Sequence, residues 1–159
     1  MKIRITEEEL KSKEEKIKEL RETNESYVSE MVKLYKAYLK ELNTVIEFLK
    51  ERNYYFEHPD LNEITTIGPI LGKNKQKNIL YAYDVKDGWV KEINMYQKDE
   101  EPKRMPLHKF FALYNFEDAM KGLLSLVDRQ DKIISQFEEE NNILMAQIKN
   151  YGKIIEENS

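Results

Sequence analysis

The side chains able to do chemistry are few, and the chain does not place them together. His58 and His108 are the only histidines and lie 50 residues apart. No serine stands near either in the context of a nucleophile elbow, so neither an acid–base pair nor an acyl-transfer set can be drawn. The segment Gly68-Pro69-Ile70-Leu71-Gly72-Lys73 approaches a phosphate-binding loop, but its spacing is one residue short. Asn74 then stands where a Ser or Thr would hold magnesium, and the segment reads as a turn. With no cysteine in the chain, a disulfide framework, a thiolate nucleophile and a cysteine-ligated zinc are all excluded. Two acidic clusters remain, Asp99-Glu100-Glu101 and Glu138-Glu139-Glu140. Consecutive residues of a helix point in different directions, so the second is a solvated face. The first precedes Pro102 in a loop, where three carboxylates suit either a basic partner surface or plain solubility. Neither an enzyme, a cofactor nor a metal site is expected.

Composition points the same way. The chain has 159 residues, room for a single domain over 1–159, and its apolar share of 40% allows only a modest core. The charged share is 35% with both signs interleaved, which is what long solvent-facing helices carry. The net charge is −4, and residues 107–159 hold 6 basic against 9 acidic side chains. A phosphate-binding face needs concentrated basic residues, and only Lys73, Lys75 and Lys77 come close. Direct nucleic-acid binding is therefore not expected. No apolar run approaches the ~18 residues of a membrane span, and a cytoplasmic protein is expected.

The elements that must position these residues follow from periodicity. Thr6 and Glu9 form a capping-box signature, and apolar residues from Leu10 and Ile17 through Leu20, Tyr27, Met31, Leu34 and Tyr38 to Phe48 recur at spacings of three, four or seven. This predicts a helix over 6–52, about 70 Å long at 1.5 Å per residue. From Leu123 through Val127, Gln130, Ile134, Phe137, Asn141, Leu144, Ile148 and Tyr151 to Ile155, spacings of four and three alternate as a heptad seam. Gln130, Asn141 and, in the first helix, Asn24 are polar interruptions of the kind that fix register and partner number. A long helix is predicted over 116–157 with Asn115 placed to cap it, preceded by a short helix over 106–114. The two long helices are expected to pair antiparallel, because each carries an apolar stripe too long to stay wet.

Between them, over 60–97, the period becomes two. Residues 79–85 and 89–96 flank Lys86-Asp87-Gly88 as a hairpin. A two-residue Asp87-Gly88 turn mixes polar and apolar residues on each face. A three-residue loop with Gly88 left-handed pairs Val85 with Trp89, Tyr83 with Lys91, Tyr81 with Ile93 and Ile79 with Met95, and is preferred because one face becomes nearly apolar. That face makes Trp89 a packing residue. A third strand is predicted within Glu63–Leu71, with Pro69 at an edge. The fold class is thus α+β: two long amphipathic, coiled-coil-like helices flanking a small antiparallel β unit of about three strands.

Ten tyrosines outnumber six phenylalanines and one tryptophan, a balance suited to interfaces and wet core edges. Tyr27, Tyr35 and Tyr38 fall on the helix stripe and read as core, whereas Tyr54, Tyr55 and Tyr96 do not and read as contact residues. The second face of the hairpin, with Leu80, Val90 and Tyr96, beside the loop Asp99-Glu100-Glu101, is the expected partner-binding surface.

Three resemblances bear on function. His58-Pro59-Asp60 matches the tripeptide of J-domain co-chaperones, but the flanking helices of that family are replaced by Tyr54-Tyr55-Phe56 and Thr65-Thr66-Ile67, and a capped turn at Asp60 and Glu63 accounts for it. The excess of Lys over Arg, 21 to 5, together with abundant Asn, Ile and Tyr in a short acidic chain, resembles the small type II anti-CRISPR proteins of phages. That resemblance implies a non-catalytic inhibitor, monomer or homodimer, that binds a basic host nuclease such as Cas9 in a bacterial cytoplasm. The order helix, β-hairpin, helix is similar to that of prefoldin subunits, which implies an oligomeric scaffold or chaperone as the alternative.

Overall fold

A computed structural model describes residues 3–158. Helix α1 spans Glu7–Glu41 and opens on the capping box that its sequence encodes: the Glu9 N–H donates to Thr6 Oγ1 at 3.1 Å and the Thr6 N–H to Glu9 Oε2 at 3.5 Å. Helix α2 follows over Asn43–Glu51, so the single helix expected over 6–52 is two. The interruption at Leu42 (φ −95°, ψ 9°) precedes Asn43 and Thr44, both weak helix formers, and α2 then buries Ile46 and Leu49.

Strands β1 (Phe56–His58) and β2 (Leu61–Thr65) form a two-stranded antiparallel sheet, with Pro59 and Asp60 as its turn. The tripeptide His58-Pro59-Asp60 therefore joins strands, not helices. Strands β3 (Ile70–Asn74), β4 (Ile79–Asp84), β5 (Trp89–Asn94) and β6 (Lys103–Met105) form a second antiparallel sheet in the order β3-β4-β5-β6. Among the described residues six strands stand where about three were expected. Two of the additions, β1 and β6, are three residues long, too short for a period of two to show. The strand expected over 63–71 is divided at Gly68-Pro69 between β2 and β3, and the buried Pro69 carbonyl accepts the Tyr83 N–H at 2.9 Å.

The hairpin takes neither register considered from the sequence. Asp84 pairs with Trp89, Tyr83 with Val90, Tyr81 with Glu92 and Ile79 with Asn94, across a four-residue loop. Gly88 is left-handed (φ 75°), as expected. Side-chain turns lengthen the loop by one residue: Asp84 Oδ1 accepts the Lys86 N–H and Asp87 Oδ1 accepts the Trp89 N–H, each at 3.0 Å. One residue of slip moves every side chain of one strand to the other face. Apolar cover lies on both faces, so neither face has to be uniformly apolar and amphipathicity does not select the register.

One face of the four-stranded sheet carries Tyr81, Tyr83, Val90 and Met105 into the main core. There they meet Val28 and Tyr35 of α1, Leu107, Phe110 and Phe111 of α3 (Leu107–Leu113), and Ala119 and Leu123 of α4 (Phe116–Leu124). Tyr35 meets Tyr83 and Phe111 edge-on at 5.7 and 5.6 Å between ring centres, contacts that each contribute about 0.5–1.5 kcal/mol beyond burial. The opposite face gathers Ile70, Leu80, Ala82 and Ile93 with Leu61, Ile67 and Met95, and no helix contributes to that cluster. Trp89 lies on this thinner side, half-buried, with the Arg104 guanidinium 4.6 Å from its ring centre. It is not the core residue that the three-residue loop implied.

Asn115 caps α4, accepting the Glu117 N–H at 2.8 Å. The helix expected over 116–157 is interrupted at Ser125, whose Oγ donates to the Gly122 carbonyl at 2.8 Å in competition with the helical ladder. Leu126 is the last buried residue, and α5 (Arg129–Glu157) then runs for 29 residues burying none. The expected antiparallel pairing of the long helices is absent. Leu20 on α1 is 57% exposed and Ile148 on α5 is 73% exposed. The helices do not cover each other because α1 meets the body through a different stripe, Val28 and Tyr35, while packing on the C-terminal side ends at Leu126.

Candidate protein-binding surfaces

The residues expected to bind a partner fall into two groups. Leu80 and Val90 are fully buried and lie on opposite faces of the sheet, Leu80 paired with Ile93 and Val90 with Tyr83. Both belong to core clusters and are withdrawn as contact residues. The one-residue slip of register accounts for the error, since it separates the two side chains that the sequence placed together. Tyr96 is 77% exposed, and Asp99, Glu100 and Glu101 are exposed in the loop between β5 and β6.

That loop borders a shallow depression in which Glu100 and Glu101 share a rim with Glu92, Lys77 and Lys103. The depression is mixed in charge, so the acidic cluster presents less unbalanced field than its sequence implies. Of the three lysines weighed for phosphate contact, Lys73 donates to Glu63 Oε1 at 2.8 Å across β2 and β3, and both side chains are largely buried. The loop lysines therefore do not act as one basic patch.

Titratable groups serve the fold. Burial pushes the Tyr35, Tyr81 and Tyr83 phenols above their ordinary range, and for Tyr81 the hydroxyl contact with Tyr114 at 2.7 Å adds to the effect. Burial lowers Lys50, whose Nζ donates to the carbonyls of Thr66 and Ile67 at 3.1 and 2.9 Å. Lys91 at 2.6 Å holds the Asp87 carboxyl below its usual range. His58 is buried and bridges elements: its Nδ1 accepts the Asp60 N–H at 3.1 Å, so its Nε2 donates to the Asp118 carbonyl of α4 at 2.6 Å. His58 also lines a small cleft with Glu57, Ser125, Arg129 and Lys132, but both its ring nitrogens are engaged by the backbone. Among the described residues, no cluster of three or more His, Asp or Glu side chains is arranged to hold a metal ion, and no helix is long and apolar enough to cross a membrane.

The surfaces that the sequence misassigned are the long helices. On α1, Leu10, Ile17, Leu20 and Tyr27 are each more than half exposed, and the stripe continues beside the body, where Tyr27, Met31, Leu34 and Ala37 line an open apolar groove. On α5, Ile134, Phe137, Ile148 and Tyr151 are each more than half exposed. The seam of α5 begins at a groove shared with Tyr54, whose ring lies 5.7 Å from the Arg129 guanidinium. Contiguous apolar surface of this extent is what interaction sites present. The signal was present in the sequence as two heptad-like stripes, and only the assumption that they cover each other hid it. Compared with family models, curated proteins and solved structures, the chain matches none.

Proposed function

We propose that this chain is a non-catalytic protein-binding protein that acts by occupying its partner, and that the exposed stripe of α1 supplies most of its contact surface. The observation that carries the reading is that Leu10, Ile17, Leu20 and Tyr27 are exposed together, with none of the described residues laid over them. A stripe spaced at three, four and seven residues is the complement of another helix or of an apolar groove. The acidic loop and Tyr96 then act as a charged rim, steering a basic partner rather than anchoring it.

Within that class the specific reading is a phage inhibitor of the anti-CRISPR type, bound to a basic host nuclease such as Cas9 in the bacterial cytoplasm and blocking DNA cleavage. Its support is the likeness in size, composition and layout, together with the net charge of −4. The test is a cleavage assay with purified Cas9 and guide. Equimolar chain should abolish cleavage, Leu20→Glu with Tyr27→Glu should restore it, and replacement of Asp99, Glu100 and Glu101 by Ser should slow association mainly at low salt. Full cleavage at a large excess of chain would remove Cas9 as the target.

A prefoldin-like scaffold is the second reading, favoured by a β body from which two helices extend with apolar stripes exposed. It predicts suppression of aggregation of several unrelated unfolded proteins, an activity that a dedicated inhibitor lacks.

A further inference from the structure

We propose that α5 is a homodimerisation helix, in which two copies of this chain wind α5 against α5, parallel and in register, as a two-stranded coiled coil. The helix is 29 residues long, about four heptads, and none of its residues is fully buried, only Arg129 and Ile133 near its start being partly covered. Helices in proteins draw most of their stability from packing of an apolar face, and from Ile134 onward the residues of α5 are all exposed.

The order of residue types along the seam selects the occupant. With Ile134 placed at the first position of a heptad, Ile148 and Ile155 fall at the equivalent first positions, and Phe137, Leu144 and Tyr151 fall at the fourth. β-branched residues at the first position with Leu at the fourth favour two parallel strands over three or four. Asn141 also falls at a first position. In a parallel in-register pair the two Asn141 side chains meet across the axis and hydrogen-bond each other. An antiparallel pair sets first positions against fourth positions, so Asn141 would face Phe137, Leu144 or Tyr151 and lose its partner in an apolar layer.

The charges flanking the seam do not oppose this register. Glu138 and Glu140 flank the seam, and a like-charge confrontation between copies would oppose pairing. In the parallel register Glu138 faces Ile133 of the second copy and Glu140 faces Met145, so no two carboxylates are opposed. A second copy is thus the occupant that leaves every polar group on or beside this stripe either paired with its own equivalent or open to solvent.

Sedimentation equilibrium of the full chain at micromolar concentration tests the proposal, with twice the chain mass expected. Ile134→Glu with Leu144→Glu should give the monomer mass while the melting of the body, followed by Trp89 fluorescence, stays unchanged. Leu20→Glu with Tyr27→Glu should leave the dimer intact, which separates this proposal from the α1 reading above. Tyr151→Cys, in a chain with no other cysteine, should form a disulfide between copies on mild oxidation. A monomer for the unsubstituted chain, a dimer that survives the paired glutamates, or Tyr151→Cys chains that dimerise without cross-linking would each overturn it.

Discussion

Gly122 of α4 rests directly on the carbonyl oxygen of Ile70 in β3, with His58 Cδ2 closing the other side, so that no methyl group fits between helix and strand. Gly122→Ala should lower stability by about 1–3 kcal/mol, as overpacking at a backbone contact does. Gly152→Ala, on α5 with nothing near it, should instead leave the melting of the body unchanged and raise helicity. Equal effects of the two changes in denaturant unfolding would contradict the close packing of α4 on β3.

Tyr35 is fully buried and its hydroxyl has no hydrogen-bond partner. An unsatisfied hydroxyl in an apolar core costs about 1–3 kcal/mol. Tyr35→Phe should therefore keep both ring contacts and hold or raise stability by about 1 kcal/mol, whereas Tyr35→Ala should lose about 3–5 kcal/mol. A clear loss of stability in Tyr35→Phe would show that the hydroxyl is bonded in solution.

His58 ties β1 to α4 through its contact with Asp118, and its second nitrogen closes the turn at Asp60. His58→Ala should cost about 2–3 kcal/mol, from two lost hydrogen bonds and the space the ring leaves. Neighbouring Lys121, 3.3 Å from Asp60 with both side chains more than half exposed, should matter little. Thermal unfolding of His58→Ala and Lys121→Ala side by side distinguishes the two contacts.

Alkaline pH should unfold the body. The Tyr35, Tyr81 and Tyr83 phenols are raised by burial above the value of about 10 that they have in the unfolded chain. Above pH ~10 the folded protein keeps protons that the unfolded chain has released, so stability is full below that point and falls as pH rises. The melting temperature should decline from pH 10 upward, and the decline should be shallower in Tyr81→Phe combined with Tyr83→Phe. An unchanged slope would mean that Tyr35, and not Tyr81 or Tyr83, carries the loss.

The helices, the hairpin and the α+β class were legible in the sequence wherever a pattern ran long enough to repeat. Thr6 and Glu9 announced the first cap, and Asn115 a second, because capping depends on residues two or three apart. Register was not legible, since it turned on two side-chain bonds, from Asp84 and Asp87, that lengthen a loop by one residue. Val90 was lost as a contact residue because the slip turns it onto the helix-covered face, and Leu80 because Leu61 and Ile67 cover the other face. The strands β1 and β6 were hidden by their shortness, and the breaks at Leu42 and Ser125 by apolar spacing that continues unchanged through both. Periodicity reports which face of a helix is apolar, but carries no information about what, if anything, lies against it.

Because Leu126 is the last buried residue among those described, the buried core precedes α5 in the order of synthesis. The body can close on the ribosome while the heptads of α5 are still being translated. Two nascent chains would then meet through α5 only after each core has sealed, so that exchange of strands or of α4 between copies is avoided by timing rather than by geometry.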